Sequence, residues 1–167
     1  LGARNRVPMA RLRELCEASG ATNARTYIAS GNVVLDSQHP AQAVATELER
    51  AIKSEFGISI AVVVLTASDF AAVVTRNPFS NAAPNTLYVA FAAKPIGKSA
   101  AADLEALDFA QEKLAVHGRQ IYMHLLNGYG RVRLPVEVNR HAGQPITVRN
   151  WRTVTTLRDL AANTISE

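Results

Sequence analysis

Apolar positions along the chain follow two rhythms, one helical and one of strict alternation. Val7–Ser19 predicts a helix. Met9, Leu12, Leu15 and Cys16 recur at helical spacing, Pro8 suits a first turn, and Gly20 marks a stop. A hairpin should follow, with Arg25–Ala29 and Asn32–Asp36 as strands and Ser30-Gly31-Asn32 as turn chemistry. Pro40–Phe56 then places Val44, Leu48, Ala51, Ile52 and Phe56 on one helical face before Gly57. The β-branched run Ile58–Leu65 predicts a well-buried strand.

The same order returns downstream. Ser68 is read as capping a short helix that reaches Arg76 and ends at Asn77-Pro78. Thr86–Ala93 predicts a strand and Ser99–Phe109 a helix carrying Leu104 and Leu107. Lys113–Val116 and Gln120–Leu126 form a hairpin around His117-Gly118-Arg119, with Ile121, Met123 and Leu125 on one face. Pro135–His141 predicts a short helix, Ile146–Arg149 a last strand and Trp151–Ala162 a closing helix. The expected fold is therefore α+β, with duplicated ferredoxin-like (βαββαβ) halves. Residues 1–66 make half one and residues 67–167 half two with its closing helix, packed as one compact unit. Half one lacks its first strand, which in this topology is central, so a slot is expected in its sheet. Either residues before Leu1 supply that strand or a neighbouring element or subunit does, and an open sheet edge would allow a homodimer.

Composition narrows the class. A chain of 167 residues with 48% hydrophobic and 19% charged residues is globular. No apolar run approaches the ~20 residues of a membrane span. A single cysteine, Cys16, forbids an internal disulfide and reads as a buried small hydrophobe. The four histidines are scattered, and neither a metal site nor a cofactor is expected. Opening at Leu1 without a charged-then-apolar leader, the chain is expected to be cytoplasmic. Its net charge of +4 is unevenly spread. Residues 1–25 hold five arginines against two glutamates, and residues 119–167 hold seven arginines against three acids, whereas the middle is acidic. Arginine is the better bidentate partner for phosphate or carboxylate.

Candidate chemistry gathers at these basic ends. In Asn127-Gly128-Tyr129-Gly130-Arg131-Val132-Arg133 two glycines permit positive φ, so that successive N–H groups can face one concavity beside Arg131 and Arg133. The alternative is an ordinary loop leaving a strand. An RNA-recognition signature is excluded, because Arg131 and Leu134 stand where its stacking rings belong. Arg149-Asn150-Trp151 opens the last helix, with Asn150 as N-cap and a free helix start that attracts anions. Ser30-Gly31-Asn32 could offer a hydroxyl and an amide, with Tyr27 nearby. Glu47/Glu49 and Asp103/Glu105 read as solvated helix faces, and no Gly-x-Ser-x-Gly elbow occurs.

At these residues the chain resembles the family of domains of unknown function numbered 1697. The matching blocks are Asn5-Arg6-Val7-Pro8-Met9, Thr26-Tyr27-Ile28 with Ser30-Gly31-Asn32-Val33-Val34, Asn77-Pro78-Phe79, Asn127-Gly128-Tyr129-Gly130-Arg131, and Arg149-Asn150-Trp151 with Thr153-Val154. Three departures stand out. Ala29 replaces a usual glutamine, Val132 replaces a usual serine or threonine, and the stretch Pro135–Gly143 is slightly short. Leu1-Gly2 resembles the residues that follow the family's opening strand. The resemblance implies a duplicated α+β fold and transfers no reaction.

These readings converge on a protein that binds a phosphate-bearing ligand, nucleic acid or a nucleotide-like metabolite, on a basic face. Ser30–Asn32, Asn127–Arg131, Arg133 and Arg149–Trp151 would form that face. One alternative is an enzyme for a small phosphorylated or carboxylated substrate, with Arg131 and Arg149 holding the anion near Tyr27, Ser30 or Asn32. Another is a partner-binding or oligomerisation module. All three depend on distant segments meeting in space.

Overall fold

The computed structural model describes residues 7–109, 111–131 and 133–163, with Arg131 described by its backbone. The arginines at 4 and 6, the Asn5-Arg6 match, Leu1-Gly2 and the Val132 departure lie outside the described residues. Those residues form two compact units: 7–67 together with 157–163, and 68–156. The closing helix is therefore divided between the units. Among the described residues the chain is α+β, with two antiparallel sheets and six helices.

In the first unit, α1 (Met9–Ala18) follows Pro8, and the Ser19 hydroxyl donates to the Leu15 carbonyl at its end. β1 (Thr22–Tyr27) pairs antiparallel with β2 (Asn32–Asp36), with a bulge between Thr22 and Arg25. α2 (Ala41–Phe56) stops at Gly57, whose φ of 67° is left-handed and suits a residue without Cβ. Leu12 and Cys16 of α1 and Leu48 and Ile52 of α2 are buried as the helical spacing predicts. They pack against Val33 and Leu35 of β2.

The expected strand Ile58–Leu65 is not formed. Ile58, Ile60 and Val62 alternate in burial with Ser59 and Ala61, yet the segment joins no ladder among the described residues. Ile58, Ile60 and Val62 pack on the cluster of Val7, Leu12 and Ile52 that also receives Val33. The Val62 N–H donates to the Glu49 carboxylate at 2.8 Å. Local sequence sets the strand-like rhythm, but a strand also needs a neighbour.

The second unit opens within α3 (Ala67–Thr75), which starts two residues earlier than a cap at Ser68 implies, so Ser68 lies within its first turn. Then come β3 (Leu87–Ala92), α4 (Lys98–Glu105), β4 (Glu112–His117), β5 (Gln120–Leu125), α5 (Leu134–His141), β6 (Ile146–Asn150) and the start of α6 (Trp151–Ala162). The sheet order is β4-β5-β3-β6, antiparallel throughout, with β3 paired on both edges. α4 ends well before the expected Phe109, because Phe109 is drawn into a bridge with Glu112 and packs on the core. One sheet face buries Ala90, Ala92, Ile121, Met123 and Leu125 against Leu104 of α4 and Leu134 and Val138 of α5. On the other face Phe70 of α3 stacks on Phe91 with centroids 5.6 Å apart, and the Tyr122 hydroxyl donates to the Val73 carbonyl at 2.8 Å.

Candidate functional site

Strand register decides which predicted residues meet. β3 and β6 pair Tyr88 with Asn150 and Val89 with Arg149, and side chains alternate across a sheet. Tyr88 and Asn150 thus share the face of α4 and α5, whereas Arg149 shares the opposite face with Val89. Tyr129 begins the 3-10 turn Tyr129–Arg131 that follows β5, and its ring lies 5.5 Å from that of Tyr88, tilted by 42°. Tyr88 therefore touches one predicted segment with its ring and pairs with the other through its backbone. The loop after β5 and the start of α6 lie at the same end of this sheet. Sequence reasoning passed over Tyr88. Its signal was a large ring at the end of a strand face otherwise built from Ala90 and Ala92.

The loop itself differs from the expected double-glycine concavity. Gly128 has a φ of 77° and its N–H donates to the Leu125 carbonyl at 3.1 Å, but Gly130 is not left-handed. Open space surrounds both positions where a Cβ would stand. The Tyr129 ring is 41% exposed, and its partial burial pushes the phenol above its ordinary pKa. Asn127 and Arg133 are exposed. The Arg133 carbonyl accepts from Val136 and Glu137, which starts α5, while the Leu134 N–H donates to the Glu112 carboxylate at 3.3 Å. A carboxylate of the chain thus already sits at the α5 N-terminus, satisfying one free donor and complementing the helix dipole.

Asn150 acts as the anticipated N-cap, its Oδ1 accepting from the Thr153 N–H at 2.8 Å. Trp151, first in α6, is half-buried, and Arg152 beside it is exposed. Arg149 has a different setting. Its Nη1 donates to Thr147 Oγ1 at 2.7 Å and to the Val148 carbonyl at 2.9 Å, and burial holds its pKa below the ordinary guanidinium value. On the same face, burial pushes Tyr122 up to about 12 against the pull of the Arg76 charge. His124 meets Phe79 with ring centroids 6.0 Å apart.

Ser30, Gly31 and Asn32 belong to the first unit, where they build the hairpin turn. Asn32 is buried, and its Nδ2 donates to the Tyr27 carbonyl at 3.1 Å and to Ser30 Oγ at 2.8 Å. Just before them Ile28 has a φ of 51°, an unusual conformation for a branched residue. The first unit also holds a cavity of about 390 Å³ lined by Cys16, Ser19, Leu35, His39, Val44 and Glu47, among others. Burial pushes the Cys16 thiol up to about 11, so it is protonated at neutral pH and packs as a hydrophobe. Among the described residues no cluster of His, Cys, Asp and Glu is placed to hold a metal ion, and no helix is long and apolar enough to cross a membrane.

A family model described as a protein of unknown function (DUF1697) matches residues 1–122. The chain belongs to this family. The matched region ends before Asn127, so the loop after β5 and the start of α6 lie beyond it. No curated protein matches the chain. Among solved structures, a conserved bacterial protein, SP0830 from Streptococcus pneumoniae, is similar with a TM-score of 0.76 and 22% identity. The likeness covers 96% of this chain and 92% of that one. At that identity it establishes the DUF1697 protein's fold and leaves its chemistry to be argued from its own residues.

Proposed function

We propose that this DUF1697 protein binds a phosphate-bearing ligand with an aromatic base, a nucleotide or single-stranded nucleic acid, at the sheet end bounded by Tyr88, Tyr129 and Asn150. The supporting observation is the double role of Tyr88, paired with Asn150 and in ring contact with Tyr129. An exposed tyrosine backed by a second ring is a stacking platform that any base can use. Arg133 and Arg152, both exposed, bring charge to the segments that follow Tyr129 and Asn150, and Arg131 adds to it in the sequence. Arg149 has a supporting role in this reading, since its guanidinium is engaged by Thr147 and Val148.

The reading goes with a duplicated ferredoxin-like fold, of halves 1–66 and 67–167, acting in the cytoplasm. The order β4-β5-β3-β6 with α4 and α5 between strands supports that topology for the second half. The helix–hairpin–helix order supports it for the first. The test is a fluorescence-anisotropy titration with a labelled single-stranded oligonucleotide, alongside a mononucleotide. Neutralising two phosphates on a single strand should cost about sevenfold in affinity between 50 and 200 mM salt. Tyr129→Ala should weaken binding about tenfold, the loss of one stacked base. Absence of binding by either ligand at low salt, or binding indifferent to Tyr129→Ala, would overturn the assignment.

A further inference from the structure

The face of the second unit's sheet that is turned away from α4 and α5 carries chemistry of its own. Alternation along the paired strands puts Lys113, His117, Gln120, Tyr122, His124 and Arg149 there, and the strands bring no carboxylate to it. α3 covers part of this face, through Phe70 on Phe91 and the Val73 carbonyl on the Tyr122 hydroxyl. After α3 the chain turns at Asn77-Pro78-Phe79, where Asn77 Oδ1 accepts from the Phe79 N–H at 3.0 Å. The turn sets the half-buried Phe79 ring against the His124 imidazole, with centroids 6.0 Å apart and planes inclined by 35°. Lys113 is the direct β4 partner of His124 and is exposed. A ring, an imidazole and an ammonium therefore stand together on an acid-free stretch of sheet.

This group lies at the same end of the sheet as the Tyr88–Tyr129 pair. His124 pairs with Leu87, and Met123 and Asn150 pair with Tyr88, so the two groups occupy adjacent rows of the sheet. Their faces are opposite, because Leu87 and Tyr88 alternate. The chain itself joins them: β5 ends at Leu125, and exposed Leu126 and Asn127 lead on to Tyr129. From one face to the other, the sheet end presents an exposed ring, an amide, a ring paired with an imidazole, and an ammonium. Stacking surfaces and phosphate donors thus follow one another around a single edge.

We propose that a single-stranded nucleic acid wraps this end of the sheet, running from Tyr129 past Asn127 to a second contact at Phe79, His124 and Lys113. The inference rests on the reading of Tyr129 given above and narrows its ligand from nucleotide to polymer. A mononucleotide reaches one face, whereas a strand carries a phosphate with every base and follows rings and donors across both. The Lys113 ammonium takes a backbone phosphate, the His124 imidazole donates an N–H to its neighbour, and the Phe79–His124 pair receives a base.

The experiment compares Lys113→Ala, Lys113→Arg and His124→Ala with the parent protein, using the labelled single-stranded oligonucleotide and a mononucleotide as probes. Lys113→Ala should weaken the oligonucleotide about tenfold, the loss of one charge-assisted hydrogen bond, and should flatten its logarithmic salt dependence by about 0.7. Lys113→Arg should restore both. His124→Ala should also weaken the oligonucleotide, and none of the three should change the affinity for the mononucleotide. Oligonucleotide binding indifferent to Lys113→Ala but still weakened by Tyr129→Ala would overturn this inference and leave the Tyr129 reading standing. Binding weakened by Lys113→Ala and indifferent to Tyr129→Ala would overturn both. Displacement of the oligonucleotide by an equal concentration of polyglutamate would assign the face to acidic protein segments and equally overturn the proposal.

Discussion

In the second unit β3 is hydrogen-bonded on both edges, and five sheet residues, Ala90, Ala92, Ile121, Met123 and Leu125, are almost wholly buried beneath α4 and α5. Among the described residues of the first unit, the same order of helix, hairpin, helix and β-branched segment goes with a sheet of two strands, and Ile58, Ile60 and Val62 are only half-buried. The sequences that flank the two centres are similarly apolar. The difference teaches that a central strand organises its neighbours twice over. It closes their hydrogen bonds, and it completes the surface on which helices bury side chains.

The largest contrast should appear on truncating buried side chains. Leu125→Ala in the second unit should cost about 3 kcal/mol in urea denaturation, the range for deleting a fully buried leucine. Ile60→Ala in the first should cost about 1 kcal/mol, because its site is already partly open to water. Equal losses would mean the units are packed alike.

Alkaline titration should separate them next. Both perturbed acids are neutral when protonated and have raised folded pKa values, so folding holds their protons and stability falls as the unfolded state ionises. For Cys16 in the first unit the loss should begin near its ordinary value of 9.0 and run to about 11. For Tyr122 in the second it should begin near 10.0 and run to about 12. Unit-resolved hydrogen exchange across pH 8 to 11 should show the first unit weakening earlier.

Two smaller effects sharpen the contrast further. Asn150→Ala removes the cap of α6 and should cost about 1 kcal/mol by thermal melting. Glu49 and Glu105 play parallel parts: each accepts from one strand-like N–H, Val62 in the first unit and Val116 in the second. Glu49→Gln should cost about 0.5–1 kcal/mol and Glu105→Gln less, because β4 keeps its ladder with β5. If Glu105→Gln costs more, residues 58–65 have other support.

Much of this was legible along the chain. Helical spacing located α1 and α2, Gly57 marked the end of α2, and the Asn150 cap marked the start of α6. Ile58–Leu65 misled because β-branched alternation is local, whereas a ladder partner is not. Arg149 was grouped with Asn150 because they are adjacent, yet adjacency in a strand sends neighbours to opposite faces. The two-residue period of Ile146–Asn150 already contained that separation. Tyr88 could not be paired with Tyr129 from sequence, since their meeting depends on where the turn after β5 carries the chain.

The hairpin tip carries one last implication, for anyone who wishes to engineer the protein. Ile28 holds a left-handed backbone with a side chain 51% exposed, so it tolerates an unfavourable torsion while leaving apolar surface in water. A branched residue there forfeits roughly 1–2 kcal/mol that glycine would not. Replacing it is a direct route to a hardier fold, and it would make the tip less prone to sticking to other molecules.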